Sequence, residues 1–326
     1  MCGIAGIFHS RAKAIDEALL KRMCDSVSHR GPDGDGVFVD QRHHVGLGHR
    51  RLSIVDLATG GQPMTNEAED VWLVFNGEIY NYPDLKQELI AKGYRFRTTS
   101  DTEAIIHMYR EYGVRGFERL NGIFAVAIFD KRDGSLVLAR DHFGVKPLYY
   151  TLQDGTLTFV SEIKVILQDP QFRREMDFEA LNSFLTFRYS PSPQTLFRNI
   201  KKLYPGHYLK IDASGSVELE SFWNYRPSHQ TISEGDAVVQ YQDLLERAVK
   251  RQMMSDVPVG LLLSGGVDSA AIGHLMQSFS KDKIKTFTIG FEGKGDYNEL
   301  DDARRSAELI ESEHFEMTLG RQKYLD

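Results

Sequence analysis

At 326 residues the chain is long enough for two domains, and its 41% hydrophobic and 26% charged residues are those of an ordinary globular protein. A net charge of −7 with no basic run argues against nucleic acid as a partner. No segment approaches the roughly 20 apolar residues of a membrane helix, and two cysteines build no disulfide framework. With no charged signal-peptide start in "MCGIAGIF", a cytoplasmic protein without membrane contact is expected.

The first element is an apolar run, Ile4, Ala5, Ile7 and Phe8, broken by small glycines in the manner of a core strand. Cys2 sits directly ahead of it. Removal of Met1, which a small second residue permits, would give that residue both a thiol and a free α-amine. With reference pKa values of about 8.5 and 7.7–8.0, the amine can act as base for the thiol near neutral pH. A small hydrophobe at the chain start is the plainer reading. Next, Ile15, Leu19, Met23 and Val27 form the apolar stripe of a helix over 15–27 that ends before Gly31-Pro32, with Cys24 as core filling.

From residue 37 to about 223 the pattern is short strands closed by tight turns, among them "GVFVD", "WLVF", "IFAVAIFD", "SLVLAR", "TLTFV" and "HYLKI". Asp133-Gly134 and Asp154-Gly155 are hairpin signals, so the sheets are antiparallel. Helices are predicted at 15–27, about 82–92 and about 102–112, the last capped by Ser100 or Asp101. Strand clusters with segregated helices define an α+β layered domain. A polar linker then precedes a different pattern of apolar strands, "VPVGLLL", "IKTFTIGF" and "HFEMTL", alternating with helices. That pattern predicts a parallel sheet covered on both faces. The expected boundaries are 2–223, a linker over 224–235, and 236–326.

"LLLSGGVDSAA" at 261–271 carries the sharpest local signal. Glycines without Cβ let backbone N–H groups approach an anion, and the helix start adds its positive dipole end. The stretch matches the Ser-Gly-Gly-x-Asp-Ser pyrophosphate loop of enzymes that split ATP into AMP and pyrophosphate. In the first domain, Asn76-Gly77 reads either as a hairpin turn or as two oxyanion donors. In "GHRRLSIVD" one arginine could clamp a carboxylate, or both could be solvated. Asp101 offers a helix cap or an anion for a substrate ammonium. The eleven histidines show no metal-ligand spacing.

Together "MCGIAGIF", "HRGPDG", "RLSIVDLATGGQPM", "FNGEIYNY", "TSDTEAI", "LNGIFAVAIFD", "FGVKPLYY" and "VPVGLLLSGGVDS" resemble, in order, the glutamine-dependent asparagine synthetase family. The resemblance implies an N-terminal-nucleophile hydrolase domain, an αββα sandwich with antiparallel sheets. Part of an α/β ATP-pyrophosphatase domain with a parallel sheet would follow it. By motif, Cys2 would attack the glutamine side-chain amide, with Asn76 and Gly77 holding the oxyanion. Arg51, helped by backbone atoms at Ile54 and Val55, would grip the α-carboxylate, and Glu78 and Asp101 would face the α-ammonium. Leu263, Ser264, Gly265, Gly266, Ser269 and Ile289 would line the ATP site, and Asp268 would approach pyrophosphate and its Mg²⁺. Ammonia from glutamine would reach β-aspartyl-AMP made from aspartate and ATP. A homodimer is compatible with the resemblance.

Two departures stand out. His142 replaces an arginine common in the family. Few residues follow Ser269, whereas the family continues with a second Ser-Gly-rich acidic segment and a helical region, so a C-terminally truncated synthetase is expected, glutaminase-competent but with an incomplete synthetase site. The alternatives are an amidotransferase for another carboxylate acceptor and a non-catalytic glutamine- or nucleotide-sensing module. Retention of Cys2, Arg51, Asn76, Gly77 and Asp101 together weighs against the last.

Overall fold

The computed structural model describes residues 1–229, 231–292 and 298–320; of the closing "GRQKYLD", all but Gly320 lies outside them. Two compact units divide the chain, Met1–Pro227 and Ser228–Asp326.

The strands of the first unit are β1 (Gly3–His9), β2 (Gly34–Asp40), β3 (Val45–Arg51), β4 (Met64–Thr65), β5 (Val71–Ile79), β6 (Gly122–Asp130), β7 (Ser135–Arg140), β8 (Tyr149–Gln153), β9 (Thr156–Val160), β10 (Lys201–Lys202), β11 (His207–Ile211) and β12 (Val217–Ser221). Its helices are α1 (Glu17–Asp25), α2 (Tyr82–Ala91), α3 (Asp101–Tyr112), α4 (Ile163–Ile166) and α5 (Phe178–Phe187). Two antiparallel six-stranded sheets result, ordered β10-β8-β9-β1-β3-β2 and β12-β11-β7-β6-β5-β4. Asp154 and Gly155 link β8 to β9 with φ of 50° and 76°, the paired positive angles of a tight hairpin turn.

Strand alternation explains why β1 is apolar on both faces. Ile4 and Phe8 enter the core between the sheets with Leu47, Val74, Phe129 and Phe159. Ala5 and Ile7 face outward against Leu19, Met23 and Cys24 of α1. On the far side α3 is buried from Asp101 to Tyr109. The layers therefore run helix, sheet, sheet, helix. This is the N-terminal-nucleophile hydrolase architecture.

Three expectations need correction. The first unit holds more helix than the three predicted segments, since α4 and α5 follow β9. Asn76-Gly77 is no turn: β5 continues through it, with Asn76 opposite Ala125 and Gly77 opposite Phe124 of β6. A Cβ at Gly77 would overlap the Ile123 carbonyl, so the glycine serves close strand approach.

The third correction lies in the second unit, built from α6 (Glu234–Gln252), β13 (Gly260–Leu262), α7 (Val267–Phe279), β14 (Lys285–Phe291), α8 (Leu300–Ile310) and β15 (Glu313–Leu319). Its strands are parallel in the order β13-β14-β15. Neighbouring strands joined in sequence by right-handed crossovers place both crossover helices on the same face. Along β14, Thr286 and Thr288 are buried while Phe287 and Ile289 on the other face are exposed, as are Leu262 and Met317. Among the described residues the sheet is covered on one face, not two.

Candidate active site

The β1–β3 register sets Gly3 opposite Arg50 and Ile4 opposite His49, which brings Cys2 beside the end of β3. There the Cys2 Sγ accepts a hydrogen bond from Leu52 N (3.3 Å) and lies 3.6 Å from Leu52 O, to which the thiol donates. Burial pushes the thiol above its usual range. It is therefore protonated at rest and needs a base. Burial lowers the α-amine of Met1. Arg30, from "HRGPDG", donates from Nε to the Cys2 carbonyl (2.9 Å) and from Nη1 to Glu162 (2.9 Å), which fixes the nucleophile's backbone.

Arg50 and Arg51 diverge as alternation requires. Arg50 pairs with Asp25, reaches Asp35 at 3.6 Å and donates to the Cys24 carbonyl at 3.3 Å. Arg51 turns inward. Its guanidinium donates to the carbonyls of Val55 (3.3 Å), Leu57 (3.3 Å) and Asp56, in space left by the missing side chain of Gly60. The Asp56 carboxylate accepts from Thr59 N (2.8 Å) and Thr99 N (2.9 Å), which ties this loop to the start of α3.

Cys2, Arg51, Ile54, Val55, Gly77, Glu78 and Asp101 all line one cavity of about 30 Å³, room for a single water in this state. Asn76, next to Gly77 on β5, does not line that cavity; it is 1% exposed, and its Nδ2 has no hydrogen-bond partner. Glu78 Oε2 is likewise buried and unpartnered. Burial raises Glu78 first and the neighbouring Asp101 charge raises it further; burial also raises Asp101. Asp101 is not the helix cap: Ser100 accepts from Thr102 N (3.2 Å), while Asp101 accepts from Ile79 N (2.9 Å). The local choice between Ser100 and Asp101 is thus resolved by β5.

Sequence reasoning gave no role to Arg30, His49, Gln62 or Lys146. Lys146 is 8% exposed, and the charges of Glu78 and Cys2 both bear on it, while burial lowers its pKa. Its only sequence signal was membership of "FGVKPLYY". His142 sits edge-on to Phe124, Phe222 and Trp223, so its ring fills an aromatic cluster.

In the second unit Ser264–Gly266 connect β13 to α7 as expected. Gly266 caps α7, Ser264 Oγ and Ser269 Oγ are 2.8 Å apart, and Ser269 Oγ donates to the Gly266 carbonyl (3.0 Å). Gly265 packs so closely on Asp302 that a side chain would collide with it. Leu263 is buried, and its carbonyl accepts from Thr288 Oγ1 at 2.5 Å. Asp268 is exposed in the first turn of α7, and Ile289 lies on the open sheet face. The loop presents a helix start of 13 residues, which suits a phosphate. No group of three or more potential metal ligands occurs among the described residues.

Cys2 precedes β1 of an αββα sandwich and lines a polar cavity, an arrangement that fits the N-terminal-nucleophile class of fold. Residues 1–223 match the family model described as glutamine amidotransferase domain, and residues 240–326 match the one described as asparagine synthase. The chain belongs to the glutamine amidotransferase family. It is 42% identical to asparagine synthetase (glutamine-hydrolyzing) 1 of Bacillus subtilis, over 100% of this chain and 51% of that protein. Amidase chry2 of Gibberella zeae is 33% identical over 95% of this chain and 50% of its own length. The chain thus spans about half the length of these curated relatives. A solved structure described as the allosteric regulatory enzyme of purine biosynthesis is similar over 97% of this chain and 80% of its own. With a TM-score of 0.50 and 16% identity, that likeness concerns the fold alone. No helix among the described residues is long and apolar enough to cross a membrane.

Proposed function

We propose that the first unit hydrolyses the side-chain amide of free glutamine. The observation that carries this reading is one cavity walled by Cys2, Arg51, Gly77, Glu78 and Asp101, with a buried, unpartnered amide on Asn76, the residue before Gly77. With Met1 removed, the Cys2 α-amine takes the thiol proton as Sγ attacks the amide carbon. Asn76 Nδ2 and Gly77 N–H hold the oxyanion that forms. The C–N bond then breaks, the proton passes to the leaving ammonia, and water hydrolyses the thioester to glutamate. Arg51, released from its loop carbonyls, pairs with the substrate carboxylate beside the backbone of Ile54 and Val55. Glu78 and Asp101 take the ammonium.

The second unit would receive that ammonia for an acceptor activated by ATP. The match to the asparagine synthase model and the loop from Ser264 to Ser269 support aspartate as that acceptor, through β-aspartyl-AMP. Leu263, Gly265, Gly266 and Ile289 would line the nucleotide. Asp268 offers one carboxylate to a Mg²⁺ that the phosphates themselves carry. A different carboxylate acceptor is the second reading, favoured by the similarity to a protein named as an amidase. Free thiols at Cys2 and Cys24 suit a reducing compartment such as the cytoplasm.

The test is a paired assay with glutamine, aspartate, ATP and Mg²⁺, following glutamate, pyrophosphate and asparagine separately. Because Val267 and Asp268 are exposed and, among the described residues, no acidic cluster joins them, this polypeptide alone should release glutamate without aspartate-dependent pyrophosphate. No glutamate release would remove the glutaminase reading. Stoichiometric asparagine and pyrophosphate would show the synthetase site to be complete.

A further inference from the structure

The oxyanion donors lie on β5, in one sheet, and the nucleophile follows the register of β1 and β3, in the other. Something must fix one sheet against the other at this point, because a misplacement of about 1 Å can cost 10²-fold in rate. The residue before Asn76 shows what does so. In the β4–β5 ladder Met64 pairs with Leu73, so continued register would set Gln62 opposite Phe75. The ladder stops at Met64. The Phe75 backbone is held by side chains instead. Phe75 N donates to Gln62 Oε1 at 2.7 Å, and Phe75 O accepts from His49 Nε2 at 3.0 Å.

Both side chains come from the nucleophile's surroundings. His49 lies on β3, opposite Ile4 on one side and Gly36 on the other, and is 0% exposed. Gln62 packs its own carbonyl so tightly against Gly36 of β2 that a Cβ there would overlap it. Gln62 Nε2 also donates to Thr102 Oγ1 at 3.4 Å, at the start of α3 beside Asp101. A carbonyl accepts from His49 Nε2, so that nitrogen carries the proton; Nδ1 has no partner. Burial holds the imidazole pKa down to about 4, which keeps this neutral tautomer across the working range.

We propose that His49 and Gln62 are positioning residues: they clamp the Phe75 peptide groups between the two sheets and so aim Asn76 Nδ2 and Gly77 N–H at the carbon that Cys2 attacks. This rests on the glutaminase reading of the site and adds to it. Neither side chain needs to touch the reacting atoms.

The test uses the chain from Cys2 to Asp326, with Met1 removed, and three variants. Gln62→Met keeps length and removes the acceptor. His49→Leu removes the donor. His49→Gln restores an amide N–H at the reach of Nε2. Glutamine hydrolysis gives kcat and KM, and the rate of Cys2 alkylation by iodoacetamide, followed by peptide mass, reads the thiol without any need for an oxyanion. Hydrogen exchange of β5 reads the clamp with no substrate at all. Gln62→Met and His49→Leu should lower kcat by about 10- to 10²-fold, with KM and alkylation little changed. His49→Gln should recover most of that loss, and exchange at the Phe75 amide should quicken in Gln62→Met. If His49→Leu does not fold, Gln62→Met carries the test.

Unchanged kcat in Gln62→Met, or alkylation falling in step with kcat, overturns the positioning role. So does His49→Gln behaving like His49→Leu. A wild-type chain that alkylates normally yet hydrolyses no glutamine removes the glutaminase reading instead, and unchanged exchange at Phe75 in Gln62→Met then refutes the clamp on its own.

Discussion

Asn76→Ala should separate activity from stability in a way that few active-site substitutions do. In the empty protein the Asn76 side chain is 1% exposed and its Nδ2 has no acceptor. Leaving a buried donor unsatisfied costs about 1–3 kcal/mol. Truncation to alanine removes that penalty, while the lost packing of a short polar side chain works against it. The two are similar in size, so thermal stability should hold within about 1 kcal/mol, or a few degrees in Tm. Activity has no such compensation. The same N–H is free to meet developing negative charge in a water-poor site, and removing one oxyanion donor typically lowers kcat by about 10²–10³-fold, roughly 2.7–4 kcal/mol. Gly77 N–H remains and supports the residual rate. Glutamate release gives kcat and KM, and a thermal melt without ligand gives stability. A kcat within about tenfold of wild type would exclude Asn76 as an oxyanion donor at that magnitude. A Tm falling together with kcat would mean that the amide holds the fold rather than the transition state.

Arg51→Ala should raise KM for glutamine by about 10- to 150-fold, the equivalent of losing a charged hydrogen bond of roughly 1.5–3 kcal/mol. Arg50→Ala, whose guanidinium is engaged by Asp25 and Asp35, should leave KM nearly unchanged, and the reverse pattern would exchange their roles. Glu78 and Asp101 are raised in the empty site by burial, so a bound ammonium must draw protons off them: KM should rise as pH falls into their titration, and a flat profile would count against ammonium binding there. The same shifts mean that the empty protein is favoured below the ordinary carboxylate range and loses that stabilisation as pH rises through the raised values, so the Tm gain from glutamine should grow with pH. Active protein should begin at Cys2 by intact mass; full activity with Met1 retained would remove the α-amine as base.

The first unit's fold was legible where local chemistry is decisive. Asp154-Gly155 demands positive φ at both positions and announced its hairpin, and β1 announced its burial by being apolar on both faces. The α5 helix was not legible, because its large apolar residues Phe178, Leu185 and Phe187 are exposed and only Ala180 is buried, leaving no inward stripe to read. Its one signal was Asp177, whose carboxylate accepts from Ala180 N at 3.0 Å. The second sheet misled for the opposite reason. An apolar run reads as a fully buried strand, yet Phe287 and Ile289 of β14 lie on the open face opposite the buried Thr286 and Thr288, because simple strand order puts the crossover helices on one side. For the candidate site, Cys2, Arg51, Glu78 and Asp101 at the cavity wall were readable from motif, whereas His49, and Gln62 at that same wall, bond to the backbone of Phe75, 26 and 13 positions away. No spacing rule reports a contact of that kind.

Asn76-Gly77 shows why local grammar fails where function begins. As a dipeptide it favours a turn, and the fold spends it inside a strand, where Gly77 admits β6 and Asn76 points an amide at nothing. Two residues on, along the same strand, Glu78 holds a carboxylate oxygen with no donor. One strand thus carries an unused donor and an unused acceptor, and Glu78 shares one cavity with a protonated thiol and an inward guanidinium. Each unmet group costs stability in the empty protein. On the proposed reading, a ligand ammonium meets Glu78, a developing oxyanion meets Asn76, and a carboxylate exchanges for the loop carbonyls that Arg51 now holds. The amide side chain of a free amino acid meets all three demands, and a peptide amide, without the charged ends, meets one.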